Sequence, residues 1–500
     1  MVVMILSTTA CRDLDTENLN NPDRQRVLAS GTDLLAIMSG GYVAWFQGIH
    51  QSHPAIALGV TADAFGVSWG NFAGRRMGEE PRRAYNNRQA EAADYKQFIE
   101  DPWFGALSAI STANDILLAL DGGTTIDNGG DQDKMIRASA YMLRGISLGY
   151  LTLLFDKAYR VVESDDISQQ LEFTPYTGLL QPTIDDLTEA ATIAASAGDT
   201  FSMQFFNGLS LDKDQFTKIT HSYSARFLAS WPRTEAEAAG IDWNAVKMHA
   251  EAGIDFDFAP IADGNFWFGY WRYAFRDTGN GPFWVRLDQR LVAAFDPSQP
   301  TRYPEVINKG EDPLDNPEAT SVDARLAADY VYEPDNNFAT DRGEWHFSHF
   351  KNNRNLTEPT FAGDGNSAGP MPIFTAADNE LLLAEATLNT DGPAAAAAII
   401  NAGTRVTRGN LPPVAADFDE VQRAIRYERA IELDHTAPFS LWLDRRRWGP
   451  RLQFDQVDDL GGLQVGTPAH LPVPADELAI REEPPYNFGG SNDPEGINGF

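Results

Sequence analysis

An intrachain disulfide framework is excluded at once, because 500 residues contain a single cysteine, Cys11. Positive charge is also scarce. Lys and Arg number 39 against 71 Asp and Glu, a formal net charge of −32. Such a surface repels nucleic acid, where phosphate contacts dominate affinity. It repels an anionic membrane surface for the same reason, so any membrane attachment would have to be hydrophobic. No later segment comes near the ~20 apolar residues that span a bilayer. The glycine patterns of phosphate and dinucleotide sites are missing, as is a G-x-S-x-G nucleophile elbow. Long two-residue alternation is nearly absent, which argues against an all-β protein.

What is present is a folded, water-soluble composition, 43% hydrophobic with a mean hydropathy of −0.33, in a chain long enough for a large helical array. Cys11 follows a short apolar stretch, Met1 to Leu6, and the small residues Ser7-Thr8-Thr9-Ala10. That order looks like the end of a secretory signal at a lipid-accepting thiol, although no basic residue precedes it and Thr8 stands where Leu is usual. Residues 1–10 are therefore read as a signal-peptide remnant and 11–31, with Asn18, Asn20, Asn21 and Pro22, as a lipidated tether.

Helical spacing governs most of the remainder. Leu34, Leu35, Ile37, Met38 and Tyr42 follow a Ser30/Thr32/Asp33 start signal. Asp101–Leu120 and Asp133–Phe155 carry apolar residues every three or four positions. Thr183 is expected as the N-cap of a further helix with Asp186 at the capping-box position, and Phe418–Leu433 forms a fifth. Helices of this length joined by loops suit stacked hairpins. Residues 255–370 differ: they are dense in aromatics, Gly, Pro and Asn, and read as long excursions from the helical frame.

Two aromatic clusters stand out. Phe266 to Tyr273 crowds rings beside Gly264 and Asn265, and Asp63 to Arg76 scatters Phe65, Trp69 and Phe72 among glycines. Flat rings offer an apolar face to the C–H side of a sugar or to a peptide side chain, with Asn and Arg bonding the polar edge. Trp267, Tyr270, Trp271, Trp69, Asn71 and Arg75 are the candidate ligand-binding residues; core packing is the competing reading for each. His346 and His349 sit among aromatics and are read as packed rather than zinc-binding. The oxygen-rich turn Asp127–Asp133 lacks the EF-hand spacing and is read as an interhelical loop. Glu428, Arg429 and Glu432 share a helix, and Arg445–Arg447 are expected to lock onto them as architecture.

Seven segments, in order, resemble the SusD/RagB family of outer-membrane nutrient-binding lipoproteins. These are Cys11 with Asp13-Leu14; Met142-Leu143-Arg144-Gly145 through Tyr150 to Asp156; Asp186-Leu187-Thr188-Glu189-Ala190; Asp242-Trp243 through Ala250; Glu380 to Ala386; Glu428 to Leu433 with Asp444 to Gly449; and His470 to Pro474 with Glu477-Leu478. The family's Glu-Gly inside the sixth is replaced by Thr436-Ala437-Pro438-Phe439. The resemblance implies a mainly α fold, a single domain over 32–500 in which tetratricopeptide-type helical hairpins carry long irregular ligand-side loops. It implies a palmitate-bearing lipoprotein on the outer face of the outer membrane. Such a protein binds a nutrient, oligosaccharide favoured, and delivers it to a SusC-type TonB-dependent transporter, with no cofactor and no catalysis. A RagB-like peptide receptor and a surface-anchored polysaccharide-degrading enzyme are the alternatives.

Overall fold

The computed structural model describes residues 28–67, 74–87, 93–268, 285–301, 318–333, 347–354 and 368–500, apart from 435, 438, 455, 457 and 458. In chain order its elements are α1 (Gly31–His50), α2 (Ser52–Thr61), β1 (Phe65–Val67), α3 (Gly74–Met77), α4 (Ala93–Asp121), α5 (Asp131–Leu154), β2 (Lys157–Tyr159) and β3 (Phe173–Pro175). There follow α6 (Tyr176–Ala195), α7 (Lys213–Ser230), α8 (Glu235–Ala238), α9 (Trp243–Glu251), β4 (Ile261–Asp263), β5 (Val285–Leu287), α10 (Gln289–Phe295), α11 (Ala324–Asp329), β6 (Tyr330–Tyr332), β7 (Phe350–Asn352) and β8 (Ala368–Pro370). The chain closes with α12 (Ala376–Thr390), α13 (Pro393–Ala402), α14 (Thr404–Thr407), α15 (Phe418–Glu432), α16 (Ser440–Arg445) and α17 (Ala475–Ile480).

The mainly α expectation holds. Neighbouring helices pack as successive hairpins: α1 on α4, α4 on α5, α5 on α6, α6 on α7, then α7 and α12 on α9, and α12 on α13 and α15. Ser30 caps α1 by accepting from the Asp33 amide, and Leu34, Met38, Tyr42, Trp45 and Ile49 bury one stripe of it. The crossing of α1 and α4 is close because Gly48 meets Gly105; a Cβ on Gly105 would lie 2.6 Å from the Gly48 Cα. A smaller apolar cluster of Leu381, Leu388, Ile400, Val421 and Ile425 joins α12, α13 and α15.

Two expectations about the helices need correction. Thr183 is not an N-cap: α6 begins at Tyr176, passes through Pro182, and buries Thr183, whose hydroxyl donates back to the Leu179 carbonyl at 2.9 Å. One segment does reach spanning length: Lys96–Asp121 of α4 has a mean hydropathy of 1.3, but half of its most apolar window is buried inside the helical stack. The Asp127–Asp133 turn is an interhelical loop, as read, with its carboxylates spent on backbone amides. Asp127 accepts from Gln132 and Asp133, and Asp133 from Ile126 and Gly129, which satisfies the amino end of α5.

Residues 255–370 break the helical pattern. The strands there form short antiparallel ribbons with β1 and with one another: β1–β5, β4–β8 and β6–β7, each three residues long. The β5 and β7 strands lie beside each other, and Asp288 bridges to Phe347.

Candidate functional site

The aromatic segment 264–268 is shaped by one carboxylate. Asp263 accepts from the amides of Asn265 at 2.8 Å and Trp267 at 2.9 Å, and its own amide donates to the Trp267 carbonyl at 2.9 Å. Gly264, at φ +71°, makes the reversal possible. The turn splits the two rings it carries. Phe266 is 58% exposed, and its carbonyl accepts from Gln47 Nε2 at 3.1 Å. Trp267 turns inward, 5% exposed, with its ring centroid 4.5 Å from that of Phe46 and 6.4 Å from that of Phe206. In this arrangement Trp267 is a core ring beneath the segment and offers no open face. Tyr270, Trp271, Trp69, Asn71 and Cys11 lie outside the described residues, as does the Arg75 side chain, whose backbone belongs to α3.

What the structure adds is the pairing of β1 with β5. The register is Phe65 to Leu287, Gly66 to Arg286 and Val67 to Val285. Position 69 follows Val67 by two residues, and the stretch carrying Tyr270 and Trp271 ends at Val285. The register thus pairs the strand that precedes Trp69 by two residues with the strand that resumes the described chain after position 284. No periodic signal in three-residue strands announces this.

Polar groups collect around that ribbon. Arg286, buried, donates from Nη2 to Glu333 at 2.7 Å and lies over the Phe347 ring at 5.6 Å. Lys351 reaches the other Glu333 oxygen at 3.1 Å. His349 bonds the Glu333 carbonyl through Nδ1 at 2.8 Å and packs on Tyr332, so it is held in the aromatic packing expected of it; His346 lies outside the described residues. Among the described residues no three His, Cys, Asp or Glu side chains group as metal ligands.

Perturbed titratable groups also lie in the helical frame, each with its own structural cause. Burial beside Trp45 and Tyr150, with Arg226 nearby, holds His50 down at about 3. Burial and the facing His221, 2.9 Å away between Nδ1 atoms, lower His249 to about 4. Burial lifts Asp156 to about 6 although Tyr486 donates its hydroxyl to both oxygens at 2.8 and 2.9 Å. Burial also lifts Glu100 to about 7, with Lys96 opposing and Asp476 assisting. Burial, with the Arg233, Arg446 and Arg451 guanidiniums nearby, lowers His470, whose Nδ1 accepts from Arg233 Nε at 3.2 Å. Each but His50, whose two buried ring nitrogens have no hydrogen-bond partner among the described residues, is matched to a polar contact.

The arginine-rich motif is architectural, but its partners differ from those expected. Glu428 and Glu432 are met by Arg325, Arg354 and Arg408, with Arg325 Nη1 2.6 Å from Glu428 and Arg354 Nη2 2.7 Å from Glu432. Arg429 reaches Asp444 at 2.6 Å, and Arg447 takes Glu385 in a fork at 2.6 and 2.7 Å. Arg446 pairs with no carboxylate in this set; it donates to the carbonyls of Leu153, Ala469 and Ser230 at 2.8–3.0 Å, the first and last at the carboxyl ends of α5 and α7. Those ends carry the negative pole of the helix, which suits a cation. Arg445 donates to the carbonyls of Ala62 and Gly462.

No family model matches the sequence, and no curated protein matches it. Solved structures do. A SusD superfamily protein from Parabacteroides distasonis superposes with a TM-score of 0.61 at 13% identity, over 90% of this chain and 97% of its own. A SusD-like carbohydrate binding protein from Bacteroides vulgatus gives 0.54 at 14%, over 84% and 83%. A structure solved with xylogluco-oligosaccharide gives 0.52 at 14%, over 83% and 82%. The chain has the SusD superfamily fold, a mainly α scaffold of helical hairpins.

Proposed function

We propose that this chain is a surface lipoprotein that captures an extracellular nutrient, an oligosaccharide in preference to a peptide, and passes it to a SusC-type TonB-dependent transporter in the outer membrane. The observation that carries this reading is the SusD superfamily fold; in sequence, Trp69 lies two residues beyond β1, the partner strand of β5. Trp69, Tyr270 and Trp271, with Asn71 and Arg75, would supply the stacking and hydrogen bonding that sugar recognition needs. One relative of this fold is described as carbohydrate binding, and another was solved with xylogluco-oligosaccharide. Loading a transporter requires only micromolar affinity, about 8 kcal/mol. No bond is made or broken in that role, and no cofactor is called for. Cys11 would carry the acyl chains, including palmitate, that hold residues 11–31 as a tether; each buried CH₂ contributes about 0.8 kcal/mol, so a multi-chain anchor is firm.

The test is a glycan and peptide binding screen on full-length chain carrying Cys11→Ser, repeated with Trp271→Ala. Removing a ring that anchors the ligand is expected to weaken binding at least about tenfold. Binding unchanged by Trp271→Ala would remove that residue from the site. Turnover of any bound polymer would overturn the non-catalytic reading, and peptide binding without glycan binding would change the cargo.

A further inference from the structure

Three-residue strands cannot hold themselves together, since even a complete two-stranded hairpin is marginal in water. The β1–β5 ribbon joins strands from distant parts of the chain, so something else must fix its register. The structure shows a buried ionic knot at the end opposite Val67 and Val285. Asp63, two residues before β1, is 1% exposed and sits at φ +59°, a left-handed conformation that Asp tolerates better than most residues. Its carboxylate accepts from Arg290 Nη1 at 3.0 Å, from Arg82 Nη2, and from Gln464 Nε2 at 3.0 and 3.2 Å. Arg290, three residues after β5, spends its other arm on Glu80 at 3.0 Å and on the Phe454 carbonyl at 3.2 Å. Gln464 Nε2 also reaches Glu80, at 2.8 Å. Between these anchors the Asp288 amide donates to the Ala64 carbonyl at 3.0 Å.

We infer that the Asp63–Arg290 pair is a positioning element: it clamps the root of the β1–β5 ribbon and so sets the spacing and register at its Val67–Val285 end. Its consequence for ligand binding rests on the function proposed above; its consequence for the ribbon does not. Register matters because a slip of one residue turns every side chain of a strand to the other face. A buried guanidinium fork between two carboxylates contributes little net stability but admits one geometry, which is what a root requires.

The ribbon can be read directly by cysteine pairing. Val67 and Val285 are register partners, and paired strand positions lie about 4.5–5.5 Å apart between Cα atoms, within disulfide range. Full-length chain with Cys11→Ser, Val67→Cys and Val285→Cys is equilibrated in glutathione redox buffers, and the crosslinked fraction gives the effective concentration of the two ends. Adding Arg290→Met is expected to lower that concentration at least about tenfold, with Arg290→Lys intermediate because one ammonium cannot fork between Asp63 and Glu80. If Arg290→Met does not fold, Arg290→Lys carries the same measurement. In the Cys11→Ser chain, Arg290→Met is likewise expected to weaken binding of xylogluco-oligosaccharide, or of the ligand found in the screen, about tenfold, as an apparent affinity falls with the competent fraction. The oxidised Val67–Val285 crosslink should restore it. Unchanged pairing in the Arg290 variants overturns the inference, and so does lost binding that the crosslink fails to restore. An unsubstituted ribbon and root that bind no glycan or peptide would defeat the proposed function, while the pairing measurement still judges the clamp.

Discussion

Along α5, Gly145 lies against Leu187 and Gly149 against the Phe227 ring, so close that a Cβ on Gly149 would fall 2.3 Å from a ring carbon. Along β6 and β7 the contrast is complete: the strands are three residues long, Val331 is 38% exposed, and the stretch is fastened to α15 by charge. Arg325 of α11 bonds Asp323, Glu428 and Glu432 at once, Arg408 joins Glu432 to Asp329, and Arg354 closes the far side through Glu432. The helical frame rests mainly on apolar interdigitation, which is non-directional and scales with buried area at about 25 cal/mol per Å², although buried pairs such as Arg144–Asp186 and Arg226–Asp378 also cross it. The ribbon side is held by hydrogen-bonded ions, which are directional and add little net stability.

The largest effect expected from this difference is at Arg325. Arg325→Met leaves Glu428 and Asp323 buried without their main counter-charge, and breaking such a network from one side costs about 3–5 kcal/mol. The measurement is the midpoint and slope of urea unfolding. A loss below about 1 kcal/mol would mean the ribbon side is not held by charge. High salt should not reproduce the effect, since a fully buried pair is screened far less than an exposed one.

In the frame the matching experiment removes volume. Leu143 is fully buried on α5, and Leu143→Ala should cost about 3 kcal/mol, while Leu143→Met, which conserves volume, should cost less than about 1.5. Equal costs for the two substitutions would break the claim that packing governs this half.

The same difference decides what could be read from sequence. The stripe Ile136, Ala140, Leu143, Ser147, Tyr150 and Leu154 is buried throughout, because helical spacing is itself the packing code. Thr183 misled because its side chain has the chemistry of a cap, while the preceding residues Tyr176 to Gln181 tolerate the missing amide of Pro182 and continue the helix upstream. Phe439 is a milder case. It adopts φ +54°, where the resembled family has glycine nearby, and its ring is retained against Tyr150 at 6.0 Å. The partners of Glu428 and Glu432 were out of reach: Arg325 lies about a hundred positions upstream in a stretch with no period, and nearby Arg445–Arg447 were the plausible but mistaken choice. The inward turn of Trp267 depends on Asp263 and Gly264 folding back, a detail of one turn that aromatic content does not encode. The β1–β5 register is longer in range still.

The smallest effect belongs to a pair that looks equally strong on distance alone. Lys218 reaches both oxygens of Asp255 at 2.8 and 2.9 Å, spacings like those of Arg325 with Asp323. Its side chain is 39% exposed and that of Asp255 74%, so water and salt already satisfy both ions in the unfolded and folded chains alike. Lys218→Ala should therefore leave the urea midpoint unresolved from that of the parent. A shift approaching that of Leu143→Ala would mean that exposed charge stabilises the frame as packing does.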